Sequence, residues 1–366
     1  MEWYEIKNID TIDSPALVIY KDRVKYNIEQ AVAMVKNIEN LRPHAKTNKI
    51  AEVSSMMMDA GILKFKCATI AEAEMLGMVG AKDVLLAYLP TGPKIQRLLQ
   101  LVQKYTATKF SCLVDNIDTA KNISDSFSLN NLQLDVFIDV NNGMNRSGIK
   151  PAAAFELFNA AQALQGIKII GLHGYDGHIR DTNVSDRQHR SDDAFLQLKQ
   201  LQKDIQEKYN TTLKIVTSGS PTFPTHAQRD DIECSPGTFV FWDWGYKTAV
   251  PDEPFEFAAL VITRVISVID DTTICTDLGH KSVAAENPLP RVHFLNAPDV
   301  TPTGQSEEHL VAKVPDASKF SVGDVLYGVP VHICPTVALY ERAFVIENNE
   351  AVNEWKVIAR DKKITI

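Results

Sequence analysis

Short apolar runs typical of β-strands alternate with longer segments of helical periodicity between residues 15 and 245. The runs include ALVIY, LRPHA, FKCAT, DVLLAY, FSCLVD, LDVFIDV, IIGLHGY and LKIVTSGS. Segments such as KYNIEQAVAMVKNI and DDAFLQLKQLQKDIQEKYN, which have the apolar spacing of helices, lie between them. Strands that alternate with helices of this length predict βαβ units and a parallel sheet.

The number of these units predicts how the sheet is arranged. About eight or nine units in about 230 residues favour an α/β fold built as a (β/α)8 TIM-type barrel over an open, doubly wound sheet. No G-x-G-x-x-G sequence follows the first strand, so the dinucleotide-binding form of the open sheet loses its main support. We therefore expect a closed barrel.

The C-terminal third of the chain has a different pattern. From FEFAALVITRVISVID onward, alternating strand patterns and turn dipeptides replace the helical periodicity, and the prolines of AVPDEPFEF mark a boundary. The sequence predicts a barrel domain over residues 15–248 and a mainly β domain over residues 249–366, which residues 1–14 join.

Charge and composition exclude several classes of protein. The net charge of −8 is spread along the chain, so there is no basic stripe for nucleic acid. The acidic N-terminus MEWYEIKNID has no leader pattern, and no apolar run reaches the roughly 18 residues of a membrane span. Five cysteines without regular spacing argue against a disulfide framework. We expect a cytoplasmic protein whose partner is a small molecule.

The segment LRPHAKTNKI carries four basic residues at the end of a predicted strand. Functional residues of a parallel barrel gather where strands end, so Lys46 is either an exposed loop residue or a nucleophile at the barrel mouth. Schiff-base chemistry needs an unprotonated amine, which burial and neighbouring cations favour. Arg42, His44 and Lys49 are candidate cations.

Polar residues also follow two other strands. Arg146 lies in the loop DVNNGMNRSG, where it is either a surface residue or a donor to a ring nitrogen or carboxylate. Tyr175, Asp176 and His178 follow the strand of GLHGYDGH, among glycines that let a ligand approach the backbone closely.

The loops VTSGSPTF and CSPGTFVFWD follow the last two barrel strands and are rich in Gly, Ser and Thr. Barrels commonly bind phosphate at this position through backbone N–H groups and hydroxyls. The candidates are Ser218, Gly219, Ser220, Gly237 and Thr238.

The C-terminal region contains the sequence VPVHICPTV. On a strand, His332 and Cys334 would point to the same face, and an imidazole with a thiolate suits zinc. Two ligands do not make a structural site, so the pair is either a coincidence or an open, catalytic site.

Together these motifs resemble the alanine-racemase-type (fold type III) pyridoxal phosphate enzymes, and within them the D-threonine aldolase and D-serine dehydratase branch. The resemblance covers nearly the whole chain, through DSPALVIYKDRVKYNI, RPHAKT, CATIAEAE, GMNRSG, SGSPTF, PGTFVFWD, LGHKSVAAENPLPRV and VHICPT. It implies that Lys46 binds pyridoxal phosphate covalently, that Arg146 faces the pyridine nitrogen and that Tyr175 lies near the cofactor.

The same resemblance implies a phosphate cradle and a metal site. Gly219, Ser220, Gly237 and Thr238 match the cradle. The pair in VHICPT matches the ligands of a divalent metal, with zinc first and manganese or magnesium as alternatives. Enzymes of this branch are often homodimers, so we expect a homodimer that acts on a D-amino acid.

Three positions depart from the family pattern. Asn48 stands where the motif usually has a histidine. Aldolases of this branch pair the metal-binding histidine with an aspartate, whereas Cys334 is the partner here, as in the dehydratases. Asp181 occupies the position of the aldolase base six residues after Tyr175, and His178 is an alternative base.

The resemblance implies a metal-dependent lyase acting on β-hydroxy-D-amino acids. We expect D-threonine aldolase-like cleavage to glycine and an aldehyde, with His178 or Asp181 as the base. The alternative is dehydration to a keto acid and ammonia, in which Lys46 takes the α-proton. A racemase and a non-catalytic pyridoxal phosphate-binding protein are further alternatives.

Overall fold

The structure is a computed structural model that describes all 366 residues. The chain forms two compact units. The barrel unit comprises residues 31–46, 54–237 and 361–366, and the β unit comprises residues 1–30, 47–53 and 238–360. A single cut near residue 248 does not separate the two units, because two N-terminal segments belong with the C-terminal part of the chain.

The regular structure begins with strand β1 (Ala16–Tyr20), which belongs to the β unit, and helix α1 (Lys21–Met34). The next seven strands are parallel and pair in chain order to form the sheet of the barrel unit. They are β2 (Lys64–Cys67), β3 (Asp83–Leu86), β4 (Lys109–Val114), β5 (Leu134–Asp139), β6 (Ile167–Gly174), β7 (Lys214–Thr217) and β8 (Ile232–Cys234).

Helices alternate with these strands, and several have clear start signals. They are α2 (Ala51–Asp59), α3 (Ile70–Met78), α4 (Pro93–Lys104), α5 (Ile117–Ser128), α6 (Pro151–Ala161), α7 (Val184–Tyr209) and α8 (Phe223–Ala227). The side chains of Thr69, Asn116 and Asn183 accept hydrogen bonds from the first turns of α3, α5 and α7. Proline occupies the first position of α4 and α6, where no N–H is needed.

An eighth segment, the seam (residues 41–44), closes the sheet between β8 and β2 without forming a regular strand. Leu41 bridges Cys234 of β8, and His44 bridges Lys66 of β2, both in the parallel sense. Backbone hydrogen bonds therefore join the seam to both neighbours. The predicted (β/α)8 barrel is confirmed, with seven regular strands and the irregular seam in the eighth position.

The β unit contains a mixed sheet. Its later strands are β9 (Ala259–Asp270), β10 (Thr273–Thr276), β11 (Val292–Phe294), β12 (Thr301–Gln305), β13 (Leu310–Lys313), β14 (Val325–Pro330), β15 (Arg342–Glu347) and β16 (Glu350–Lys356). They pair in the order β12-β13-β10-β9-β1-β15-β16, and β14 pairs with β9 and β11. The unit also contains helices α9 (Trp244–Ala249) and α10 (Ile333–Leu339). The predicted mainly β region is confirmed.

Strand β1 corrects one detail of the prediction. The sequence predicts that ALVIY is the first barrel strand, and this is wrong, because β1 pairs antiparallel with β9 and parallel with β15 in the β unit. All five of its residues are buried. A central strand of a mixed sheet that is covered on both faces has the same continuous apolar pattern as a barrel strand, so the pattern alone does not distinguish them.

The barrel unit contains a buried ion-pair network at the seam. The Nε of Arg42, a fully buried residue, donates to Glu233 Oε2 at 2.6 Å, and its Nη1 donates to Asp83 Oδ1 at 2.7 Å. Lys64 Nζ lies 3.0 Å from Glu233 Oε1. Burial raises the pKa values of Asp83 and Glu233, but Arg42 helps to hold both below their usual values. Arg42 is therefore paired with carboxylates, and it is not the free cation beside Lys46 that the sequence suggests.

Two expectations from composition concern the whole chain. None of the helices combines the length and the apolar character that crossing a bilayer requires. All five cysteines are thiols rather than disulfides, and four of them are buried. The buried four behave as small apolar core residues.

Candidate active site

Lys46 directly follows the seam, at the edge of the barrel where the parallel strands end. Its backbone N–H donates to His44 Nδ1 at 3.3 Å. Its Nζ lies 5.5 Å from the centroid of the Tyr175 ring, and Tyr175 is the first residue after β6. The structure therefore brings these two predicted residues together across the barrel mouth.

Two further cations lie near the same ring. Arg146 Cζ is 4.9 Å from the Tyr175 centroid, and Lys66 Nζ is 5.6 Å from it. We call Lys46, Lys66 and Arg146 the cation cluster. Lys46, Arg146 and Tyr175 were expected at one site, whereas Lys66 was not recognised from the sequence. Three cations that converge on one aromatic ring form a site suited to an anionic small molecule.

Lys66 lies on β2 and is only 2% exposed. Burial lowers the pKa of the Lys66 ammonium to about 7, and the positive charges of Lys46 and Arg146 act in the same direction. The carboxylates of Asp176 and Asp139 oppose this shift. Near neutral pH this amine is therefore poised between its charged and neutral forms. The sequence contains no local signal for such a role, because alternating lysines in a strand are usually solvent-facing.

A small cavity beside Arg146 and Tyr175 is lined by polar and apolar side chains. His173 Nδ1 lies 2.7 Å from Asp139 Oδ1, while His173 Nε2 and the side-chain amide of Asn142 are buried without a hydrogen-bond partner. Burial lowers the pKa of His173, although Asp139 opposes this. A neutral ring that donates from Nδ1 presents Nε2 as an acceptor. Unpartnered buried polar atoms beside a cavity fit the polar ring substituents of a ligand such as pyridoxal phosphate.

The loop after β6 is tied to the predicted phosphate loop by a buried carboxylate. Asp176 Oδ1 accepts from the Gly219 N–H at 3.0 Å and from the Thr222 hydroxyl at 2.8 Å, and Oδ2 lies 2.8 Å from His226 Nε2. Burial raises the pKa of Asp176, but His226 and these donors hold it below its usual value. The Gly219 N–H therefore already has an acceptor. Gly219 lets a ligand approach the backbone closely, but it does not supply a free donor.

Four of the predicted phosphate residues lie in the barrel unit, and one of them, Gly219, packs against Tyr175. A Cβ on Gly219 would lie 3.3 Å from Tyr175 Cε2, so this loop packs closely against the ring. The Gly237 N–H donates to Ser220 Oγ at 3.3 Å, which joins the two predicted loops. Ser218 is buried with a φ of 85°, and its hydroxyl donates to the Gly219 carbonyl at 2.7 Å.

The two candidate bases have different surroundings. Burial lowers the pKa of His178, whose Nδ1 has no hydrogen-bond partner. A Cβ on Gly143 would lie only 2.7 Å from His178 Nε2, so glycine leaves room for the imidazole there. Both oxygens of Asp181 accept from Arg190, at 2.9 and 2.6 Å. The imidazole is therefore the better proton acceptor of the two.

The predicted metal pair lies in the β unit. His332 Nδ1 forms a hydrogen bond with Glu286, and Cys334 Sγ lies 3.2 Å from Thr47 Oγ1 and 3.4 Å from Thr238 Oγ1. Although burial opposes it, Cys334 and Glu286 raise the pKa of His332 to about 9. No group of three or more His, Cys, Asp or Glu side chains has the arrangement of a metal site. A metal here would therefore need ligands from outside this pair.

The local structure around this pair differs from the prediction. The sequence places both residues on a strand, and this is wrong, because β14 ends at Pro330 and His332 is the residue that precedes helix α10. Pro335 lies in the first turn of α10, where an N–H has no partner within the helix. The side chains of His332 and Cys334 still interact.

The comparisons with known proteins agree with this geometry. The model of the alanine racemase N-terminal domain matches residues 19–243, and the serine dehydratase domain model matches residues 258–346. The chain is similar to a D-threonine aldolase from Arthrobacter, at 25% identity over 95% of this chain and 93% of the relative. It is also similar to a 3-hydroxy-D-aspartate aldolase from Paracoccus denitrificans, at 26% identity over 96% and 93%.

A solved structure extends the similarity to the whole fold. The crystal structure of D-threonine aldolase from Filomicrobium marinum superposes with a TM-score of 0.88 at 25% identity. The match covers 98% of each chain. Both units therefore have counterparts in one known protein.

Proposed function

Because the chain belongs to the family defined by the alanine racemase N-terminal domain, we propose that it is a pyridoxal phosphate-dependent lyase that cleaves β-hydroxy-D-amino acids. The observation that carries the proposal is the convergence of Lys46 and Arg146 on the Tyr175 ring at the barrel mouth. The two aldolases at 25% and 26% identity support cleavage to glycine and an aldehyde.

Each residue at the barrel mouth has a role in this proposal. Lys46 supplies the amine that binds the cofactor aldehyde, and Arg146 donates toward the pyridine nitrogen. The loops that contain Ser218, Gly219, Ser220 and Gly237 surround the phosphate, with Gly219 allowing close approach, and Thr238 stays a candidate from the sequence. When bound, the cofactor supplies an electron-withdrawing ring that stabilises negative charge on the substrate's α-carbon.

A divalent metal is the second proposed cofactor. His332 and Cys334 would hold it, with zinc as the first candidate and manganese or magnesium as alternatives. The hydrogen bond that His332 Nδ1 donates to Glu286 supports this, because metal-binding histidines usually have their second nitrogen fixed by a carboxylate. The metal would supply Lewis acidity toward the β-hydroxyl of the substrate.

The experiment that tests the function is a product assay on the purified chain loaded with pyridoxal phosphate. We expect D-threonine to give glycine and acetaldehyde, and we expect a chelator or His332→Ala to slow that reaction. Glu308→Ala is a matched control, because Glu308 is exposed and pairs with Lys281. If no β-hydroxy-D-amino acid gives glycine, with or without added zinc, manganese or magnesium, the proposal that the protein catalyses aldol cleavage is wrong.

Dehydration is the second candidate, and Cys334 favours it. A cysteine rather than an aspartate is the partner of the proposed metal-binding histidine, as in the dehydratases that the sequence resembles. Dehydration would require Lys46 to take the α-proton. In the same assay, keto acid and ammonia from D-serine or D-threonine would identify this reaction.

His178→Gln tests the base of the cleavage reaction. In cleavage, the neutral imidazole accepts the proton of the β-hydroxyl as the Cα–Cβ bond breaks, so we expect kcat for glycine formation to fall about 10²-fold or more. Because burial lowers the pKa of His178, wild-type activity should persist at pH values below the usual pKa of histidine. At still lower pH the activity should fall, because the imidazole gains a proton. Asp181→Asn should have a smaller effect. Equal rates in wild type and His178→Gln would exclude His178 as the base.

The assembly and location of the protein are also part of the proposal. We propose a homodimer, on the resemblance to dimeric enzymes of this branch, and a cytoplasmic location, on the five free cysteines. The proposed partner is a small D-amino acid. Sedimentation of the purified protein tests the dimer.

A further inference from the structure

A chain of hydrogen bonds runs from the surface of the barrel unit to Asp176, behind the loop that follows β6. Arg229, which follows α8, pairs with Asp192 of α7. Its Nη1 lies 2.8 Å from His226 Nδ1, and His226 Nε2 lies 2.8 Å from Asp176 Oδ2. We call these four residues the hydrogen-bond chain. His226 and Asp176 are each only 1% exposed, so the inner half of the chain is closed to water.

The direction of these hydrogen bonds follows from the chemistry of arginine. A guanidinium carries donors only, so His226 Nδ1 must accept from Arg229. The ring hydrogen is then on Nε2, where it points to Asp176 Oδ2, and the Ser191 hydroxyl lies 3.0 Å from the same nitrogen. Phe195 packs against both side chains, with its ring centroid 5.7 Å from that of the imidazole and 3.9 Å from Arg229 Cζ. The imidazole is therefore held in one orientation and one tautomer.

Asp176 is the residue through which the hydrogen-bond chain reaches the proposed base. It precedes His178 by two residues in YDGH, and its carbonyl accepts from the Ile179 N–H at 3.0 Å. This hydrogen bond closes a turn in which His178 is one of the two central residues. A displacement of Asp176 therefore moves His178 as well.

His178 itself has no partner that orients its ring from Nδ1, which is buried without a hydrogen bond. A general base must be held within hydrogen-bond reach of the proton that it accepts, and a third group that bonds to the base commonly holds it there. No such group bonds to Nδ1 here. The position of the His178 imidazole therefore depends on the turn that carries it.

We propose that His226 is a positioning residue for the cleavage reaction, an inference that rests on the proposed function. By donating to Asp176 Oδ2, it fixes the turn that carries His178, and it acts without touching the substrate. Oδ1 of Asp176 separately accepts from the Gly219 N–H and the Thr222 hydroxyl. Loss of the bond to Oδ2 leaves those two hydrogen bonds in place but frees the carboxylate to turn about them. The effect therefore falls on the base rather than on the loops around the phosphate.

The test compares three replacements of His226 in the protein loaded with pyridoxal phosphate. His226→Leu removes both ring nitrogens, His226→Asn keeps an acceptor for Arg229 but is too short to reach Asp176, and His226→Gln keeps a donor for Asp176. We expect kcat for glycine formation from D-threonine to fall about tenfold or more in the leucine and asparagine variants, because the base is misplaced. The dissociation constant of pyridoxal phosphate should change much less. His226→Gln should recover most of the activity.

His189→Leu is the matched control, because His189 is an exposed histidine of helix α7. It should leave both kcat and the dissociation constant unchanged. Circular dichroism shows whether each variant is folded, and His226→Asn replaces His226→Leu in the comparison if the leucine variant is not. The inference is wrong if the folded variant keeps the wild-type kcat, or if it loses cofactor affinity by the same factor as kcat.

A double variant shows whether His226 acts through His178. The replacement of His226 should lower kcat in the wild-type background but have little further effect in His178→Gln, because the base that it positions is already absent. Equal fold losses in the two backgrounds would overturn the inference.

Nitrogen-15 NMR of the histidine-labelled, cofactor-free protein tests the hydrogen-bond chain without any reaction. The ring of His226, assigned by the loss of its signals in His226→Gln, should carry its hydrogen on Nε2 and none on Nδ1. A protonated Nδ1 would contradict the inference. If wild type gives no glycine from any β-hydroxy-D-amino acid, the proposed function fails. If it gives glycine and the His226 variants are equally fast, only the present inference fails.

Discussion

Replacing Lys46 with alanine is expected to abolish covalent binding of pyridoxal phosphate and to lower kcat by about 10³-fold or more, since both a nucleophile and a proton carrier are lost. The amine lies 5.5 Å from the Tyr175 centroid at the barrel mouth. Borohydride reduction followed by peptide mass analysis measures the covalent bond directly. In wild type, the reduced cofactor should be found on the peptide that contains Lys46.

Lys46→Arg separates charge from nucleophilicity. The guanidinium keeps the positive charge beside Tyr175 but does not form the bond to the aldehyde, so this variant should also be inactive while it retains some cofactor affinity. A reduced cofactor on Lys66 instead of Lys46 in the wild-type protein would contradict the assignment of Lys46 as the nucleophile.

Replacing Arg42 with methionine is expected to lower the free energy of unfolding by about 3–5 kcal/mol, because it leaves two carboxylates without their buried partner. Arg42 is fully buried and binds Glu233 at 2.6 Å and Asp83 at 2.7 Å. Urea denaturation, followed by tryptophan fluorescence, measures the change. The loss should be larger than in Lys64→Met, whose lysine side chain is partly exposed.

A double variant tests the cause of that loss. Arg42→Met with Glu233→Gln removes a buried negative charge together with its partner, so it should recover part of the lost stability. If the double variant is less stable than Arg42→Met alone, an unpaired carboxylate is not the reason for the destabilisation.

Most of the fold was predictable because strands and helices alternate with clear periods. The barrel and the β region were both identified from this pattern. The position of ALVIY in the β unit could not be predicted, because its neighbours in the sheet, β9 and β15, lie more than two hundred residues away in sequence. The helix that begins after His332 was missed because short apolar runs with prolines do not distinguish a strand from a helical turn.

The candidate site was predictable where residues sit in recognisable loops. Lys46, Arg146 and Tyr175 follow strand ends, and the barrel geometry brings them together. Lys66 lies inside a strand, so neither its burial nor its neighbours could be inferred from KFKC. Asp176 was noticed only as a loop residue, because its bond to His226 joins positions 50 apart.

One departure from the family pattern has a local explanation. Asn48 is buried, and its Oδ1 accepts from the Ile50 N–H at 3.0 Å. This is the short turn that asparagine side chains commonly form with the backbone two residues on. Asn48 Oδ1 therefore stabilises the chain after Lys46, while Asn48 Nδ2 is buried without a hydrogen-bond partner.

The seam also has a consequence for the order of events in folding. Arg42 and Glu233, which pair across it, are 191 positions apart in sequence. Contacts of such long range carry a large loss of chain entropy before they become favourable, so they form late and slow the overall rate. During synthesis, the segment that leads into Lys46 emerges early but has no complete set of neighbours until β8 has been made. Lys46 is therefore synthesised well before β8 and reaches its final position only after β8 has joined the sheet.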